Sequence, residues 1–134
     1  LCLGKLTEKH SRAFRVSVEI LEALEDLMRP GIPTADIYTE AERIAGRNGL
    51  ADHFMGYGNE KAGFCGHGIG IELDETPIFS KNGKGNIEPG IAFALEPKFT
   101  FPGEGIVGVE DSYVMTEKGV EKLTKSSYVV EIRG

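Results

Sequence analysis

Apolar residues in the first third of the chain keep a helical beat. Phe14, Val18, Leu21, Leu24 and Met28 recur at steps of three and four, which puts them on one helix face. Arg12, Arg15, Glu19, Glu22 and Asp26 take the opposite face, a charge pattern that a solvated surface explains in full. Thr7 is placed to N-cap this helix, Glu8 complements the dipole in its first turn, and Arg29-Pro30-Gly31 ends it. A second helix is predicted with Thr34 as N-cap and Asp36 in its first turn. Its apolar stripe is Ile37, Ala41, Ile44 and Ala45, and Asn48-Gly49 closes it. Residues 7–48 thus read as a helical hairpin whose stripes need a sheet to cover them.

The beat changes at Leu50, where glycine becomes frequent and short apolar runs alternate with turn signals. Residues 53–58 read as a loop or short strand. In residues 64–75 a single histidine, His67, sits between Gly66 and Gly68, which leave room for a sharp turn or a close ligand. Ile69, Ile71 and Leu73 then alternate with Gly70, Glu72 and Asp74, as in a half-buried strand. Thr76-Pro77 and residues 81–86 read as loop. Residues 91–95 form a continuous apolar run, expected of a strand buried on both faces. Strands are also predicted at 98–101 and 106–109, at 113–116 and 120–123 as a hairpin, and at 128–132. Met28, Met55 and Met115 read as core. The expected fold class is α+β: a helical hairpin on a curved, mainly antiparallel sheet, in a single domain spanning 1–134.

A length of 134 residues suffices for one such core. The net charge of −6, without any basic run, offers phosphates no footprint, so nucleic acid is not an expected partner. No apolar run approaches the ~20 residues a membrane span needs, so no membrane partner is expected. Cys2 and Cys65 are expected to be reduced, with a cytoplasmic location. The opening Leu1-Cys2-Leu3-Gly4 looks like a strand end within a longer polypeptide, and the chain is expected to be a fragment.

Two carboxylates close apolar strands. Glu96 follows residues 91–95 and precedes Pro97, and Glu110 follows Ile106-Val107-Gly108-Val109. A carboxylate at the mouth of an apolar strand is costly to desolvate unless a positive group meets it. Lys98 is expected on the opposite side of the pleat or towards the next layer, and Arg133 is the other cation nearby. One imidazole, His67, with two hard carboxylates suits a first-row divalent ion. Salt-bridged strand ends would explain the same residues without one. Gly103-x-Gly105-x-x-Gly108 fits the dinucleotide fingerprint by letter, but no helix follows it. His10 and His53 are expected to be solvated, with His53 a candidate substrate contact. Cys65 is expected to pack as a small apolar residue rather than act as a nucleophile.

Gly66-His67-Gly68-Ile69-Gly70, then Pro89-Gly90-Ile91-Ala92-Phe93-Ala94-Leu95-Glu96-Pro97, then Gly108-Val109-Glu110-Asp111 resemble, in order, three signature segments of the pita-bread metallopeptidases. This is the family of methionine aminopeptidase, aminopeptidase P, prolidase and creatinase, and the likeness is strongest to bacterial Xaa-Pro peptidases. It covers nearly the whole chain and implies the C-terminal half of a pita-bread fold. In that family two aspartates, one histidine and two glutamates hold two divalent ions (Mn²⁺, Co²⁺, Zn²⁺ or Fe²⁺). The resemblance makes His67 the histidine, Glu96 the first glutamate and proton acceptor, and Glu110 the second, bridging glutamate. The aspartates lie before the helix equivalent to the first one here, and no aspartate precedes Asp26.

The resemblance implies a metal-dependent exopeptidase acting on short peptides, Xaa-Pro dipeptidase- or aminopeptidase P-like, with this chain alone inactive for want of two ligands. A non-catalytic binding module and a creatinase-like C–N hydrolase are the alternatives. Prolidases and aminopeptidases P usually carry a second, substrate-contacting histidine seven residues after the ligand. Asp74 stands there, either to bind a substrate's free amine or to cap a turn, and proline-directed cleavage is in question. A homodimer is expected, to cover exposed sheet edge.

Overall fold

The computed structural model describes residues 2–125 and 127–134. Leu1, part of the expected strand end, lies outside them, but Cys2–Leu3 do form a short strand, β1. Helix α1, Glu8–Leu27, follows, and the Thr7 hydroxyl caps it by accepting the His10 N–H at 3.2 Å. Its buried residues are Ala13, Val16, Ser17, Ile20, Leu21 and Leu24. Phe14 and Val18, predicted for the stripe, are only half-buried. The correction has a packing cause: α1 lies against the second helix on one side and strands 98–101 and 105–108 on another, so its buried arc is wider than one stripe.

Strand β2, Ile32–Pro33, leads into α2, Thr34–Arg47. Pro33 rather than Thr34 holds the N-cap position. Pairing of β2 with β5, Asn86–Ile87, brings the Gly85 carbonyl against Thr34, which donates to it from both its N–H at 3.2 Å and its hydroxyl at 3.4 Å. The stripe Ile37, Ala41, Ile44 and Ala45 is fully buried, as predicted. A single 3-10 turn, Ala51–His53, then passes to β3, Phe64–Gly68, and β4, Glu75–Ser80. The remaining strands are β6 Ala92–Leu95, β7 Lys98–Phe101, β8 Gly105–Gly108, β9 Asp111–Thr116, β10 Gly119–Lys122 and β11 Ile132–Arg133.

Five of these form the central antiparallel sheet, in the order β10-β9-β6-β3-β4. Strands β6 and β9 run on into β7 and β8, which pair as a second hairpin carrying the Gly103–Gly108 glycines, with no helix after them. Phe79, Phe93 and Tyr113 stack in series across the sheet, with ring centroids 5.2 and 5.6 Å apart, and the Tyr113 hydroxyl donates to Glu25 of α1 at 2.7 Å. Met28, Met55 and Met115 are buried in this core.

Two strand predictions are corrected. The alternating run 69–74 is not strand: β3 stops at Gly68, and Ile71 and Leu73 stand fully in solvent. Register shifts on either side of His67 break the β3–β4 ladder. The Glu75 carboxylate then folds back to accept the Glu72 N–H at 3.2 Å, filling the space beside Gly70. Thr76 and Pro77, predicted as loop, lie inside β4. Of residues 128–132 only Ile132 is in a strand, and β11 pairs in parallel with β1.

Candidate metal centre

Strand register builds the site. Leu95 pairs with Asp111 in the β6–β9 ladder and Lys98 with Gly108 in the β7–β8 ladder. The two pairings are in phase, so Glu96 and Glu110 fall opposite one another where the central sheet passes into the second hairpin. Directly opposed residues hold their Cβ atoms about 5 Å apart, and like charges so placed repel. Strand β3 is pinned alongside, because the Glu96 N–H donates to the Cys65 carbonyl at 2.8 Å. Glycine is needed on both sides of the histidine. A Cβ on Gly66 would lie 2.4 Å from the Ala94 carbonyl oxygen, and one on Gly68 would lie 2.4 Å from that of Thr76.

His67 is buried, its side chain 7% exposed. Its Nδ1 lies 3.0 Å from the Gly68 carbonyl oxygen, which can only accept, so Nδ1 carries a proton. Nε2 faces two carboxylates: Asp74 Oδ1 at 3.2 Å and Glu96 Oε1 at 3.9 Å. The other Glu96 oxygen accepts from Lys98 Nζ at 2.5 Å. Lys98 therefore does not point to the opposite side of the pleat, since residues two apart on a strand share a face. Glu110 is exposed and lines, with Glu96, Lys98 and Val109, a cleft of about 290 Å³. Arg133 is spent on Glu131 at 3.0 Å.

Among the described residues, no three His, Cys, Asp or Glu side chains stand close enough together to hold an ion. The donor types, one imidazole and two carboxylates, are those a first-row divalent ion takes. The His67 ring turns Nε2 towards two carboxylates, and Glu96, opposite Glu110, is itself paired with Lys98. Lys98 supplies the positive charge at Glu96 here, as the salt-bridge alternative expected, and a divalent ion would have to take that place.

The other candidates fall away from this centre. His53 is not solvated: Nδ1 sits 2.8 Å from the Thr100 carbonyl oxygen, and the ring packs between Tyr57 and Phe101, at 5.1 and 4.7 Å. His10 is likewise packed, against Phe101 at 5.3 Å and with Nε2 3.0 Å from Glu104. Both corrections share a cause, since the start of α1 and the 3-10 turn dock on the aromatic edge of β7. Burial, reinforced by the Glu96 charge, pushes the Cys65 thiol up to about 12, so it is inert, as expected.

Sequence reasoning missed a polar network directly behind Glu110. Asp111 is fully buried and accepts from Thr124 Oγ1 at 2.5 Å, from Lys122 Nζ at 3.0 Å and from the Tyr128 hydroxyl. Lys122 also donates to Glu25 at 3.1 Å, tying α1 to the sheet. Burial alone would push the Asp111 carboxyl up, but the Thr124 and Tyr128 hydroxyls and the Lys122 ammonium outweigh it and hold it below the usual carboxylate range. The available signal was the period of two that sets Asp111 in line with Tyr113 and Met115, both core residues.

Known proteins share both sequence and architecture with this chain. The chain is 26% identical over 126 residues to the Xaa-Pro dipeptidase of Pyrococcus furiosus, covering 94% of this chain and 34% of that protein. It is 31% identical over 117 residues to the probable dipeptidase PepE of Mycobacterium bovis, covering 87% and 29%. Among solved structures, a dipeptidase from Pyrococcus horikoshii superimposes with a TM-score of 0.86 at 27% identity, over 98% of this chain and 35% of that one. The X-Pro aminopeptidase of Thermotoga maritima, at 21% identity and TM-score 0.85, shares the fold. The chain thus spans about a third of the length of these relatives. The model of metallopeptidase family M24 matches residues 1–117. With its two helices packed on antiparallel sheets, the chain belongs to metallopeptidase family M24.

Proposed function

We propose that the chain is the C-terminal part of a catalytic domain hydrolysing short peptides, Xaa-Pro dipeptidase- or aminopeptidase P-like, at a pair of divalent ions. The observation that carries this reading is the in-phase register that sets Glu96 opposite Glu110, with His67 Nε2 3.9 Å from Glu96. His67 and Glu96 would each hold an ion, and Glu110 would bridge the two. Bound there, a metal pair supplies a water acidic enough to ionise near neutrality and polarises the scissile carbonyl. Glu96 is the proton acceptor: its carboxylate lies at the junction, and Lys98 holds it in place. No aspartate precedes Asp26 among the residues of this chain, so these residues by themselves are expected to bind one ion weakly and to be inactive.

Calorimetric titration with Mn²⁺ and Co²⁺ tests this. We expect one weak site in the chain, abolished in both His67→Ala and Glu110→Ala. Binding unchanged in those variants would overturn it. The same reading has the chain pair with a second copy, because β4 and β10 are open edges of the central sheet. Sedimentation equilibrium should find a concentration-dependent dimer, and a monomer at millimolar concentration would refute the pairing.

A further inference from the structure

The β7–β8 hairpin continues the site with one ammonium, and its two strands make room for it. Lys98 and Gly108 are cross-strand partners at the end of the hairpin next to Glu96 and Glu110. A Cβ on Gly108 would lie 2.6 Å from Lys98 Cβ and 2.6 Å from the Pro97 carbonyl oxygen, so a side chain there would force the lysine stem aside. Phe99 and Phe101 turn into the core, which by the period of two leaves Lys98 on the face of Glu96. Lys98 Nζ donates to Glu96 Oε2 at 2.5 Å, while Oε1 of the same carboxylate stands 3.9 Å from His67 Nε2. Among the described residues lining the cleft with Glu96 and Glu110, Lys98 is the one base. The Glu96 side chain is 16% exposed and that of Lys98 35%, so the pair is partly shielded from water while the ammonium keeps a way out along its flexible stem.

We infer that Lys98 is the threshold residue of this site: its ammonium holds the Glu96 oxygen that a divalent ion would take, and an ion enters only by displacing it. The nature of the arriving ion rests on the metallopeptidase reading, which Lys98 deepens by setting how tightly that ion is held. Two cations drawn to one carboxylate stand about 4 Å apart, where their mutual repulsion is large in a partly buried site. Displacement costs every ion the same. Lys98 therefore leaves the ranking of ions unchanged and moves the weakly held ones below occupancy.

Calorimetric titration with Mn²⁺ and Co²⁺ reads this threshold without turnover. Lys98→Met keeps the stem and removes the charge, and both ions should bind it about tenfold more tightly than wild type, by a similar factor. Lys98→Gln should match it, and Lys98→Arg should return the affinity to that of wild type. Lys118→Met, in the exposed β9–β10 turn, carries the same change in net charge and should bind as wild type does. Melting temperatures give a second readout, since Lys98→Met should gain more from added Mn²⁺ than wild type gains. Unchanged or weaker binding in Lys98→Met and Lys98→Gln, no binding to either at millimolar ion, or an equal gain in Lys118→Met would each overturn the inference. His67→Ala and Glu110→Ala, made in the Lys98→Met background, keep the two readings apart. Tightened binding that survives both substitutions would sink the metallopeptidase reading and leave the threshold standing. Binding lost in both but indifferent to Lys98 would do the reverse.

Discussion

Asp111 shows how much one residue can be asked to hold. Removing its charge weakens the acceptor of two half-buried hydroxyls and leaves the exposed Lys122 ammonium with Glu25 as its carboxylate partner. Asp111→Asn should cost about 1–2 kcal/mol at pH 7, read by urea unfolding. The pH dependence has a definite sign. The folded carboxyl titrates below its ordinary 3.8, so its stabilisation is complete above that value and is lost as the pH falls through the lower folded one. Wild-type stability should fall with acid once the pH drops below the ordinary carboxylate range, and the variant should show a flatter acid limb. An unchanged limb would mean that the network contributes nothing to acid stability. Of these residues only Glu110, next in the chain, stood out in the sequence. Asp111 did not, because its partners lie 11 to 17 residues away and nothing local marks them as neighbours.

At the scale of elements, periodicity was informative where one surface decides burial. The stripe of α2 is as the spacing predicts, but α1 is buried from two directions and takes in Ala13 and Ser17 as well. The run 69–73 is the sharper case, since its letters alternate as a strand's do. What ends the strand is the irregular ladder around His67 and the fold-back of Glu75, neither visible as hydropathy. Glu96 and Glu110 were recognisable singly, but their opposition is a matter of register. That register depends on close backbone approach at the histidine. Gly66→Ala should lower stability by about 2–3 kcal/mol, since its Cβ meets main chain that has nowhere to go. Gly63→Ala, with open space beside it, is the control and should change the melting temperature little.

Across the whole molecule, the ionisable groups of the site are drawn from strands far apart in sequence yet adjacent in space: β3, the β6–β7 junction and the β8–β9 junction. The helices contribute no ligand; they cover the sheet and set its position. The exposed segment after β3 lies outside this framework, with Ile71 and Leu73 offered to solvent. A protease that prefers large apolar side chains would meet them before it met any packed backbone. Cutting there would sever the covalent link between His67 and Asp74, while the β3–β4 ladder and buried Phe79 still held both pieces. The nicked molecule would be a two-chain protein in which the histidine sits fixed in the sheet and the acidic segment hangs free. The sheet and the exposed segment after β3 are in that sense separable parts of one chain.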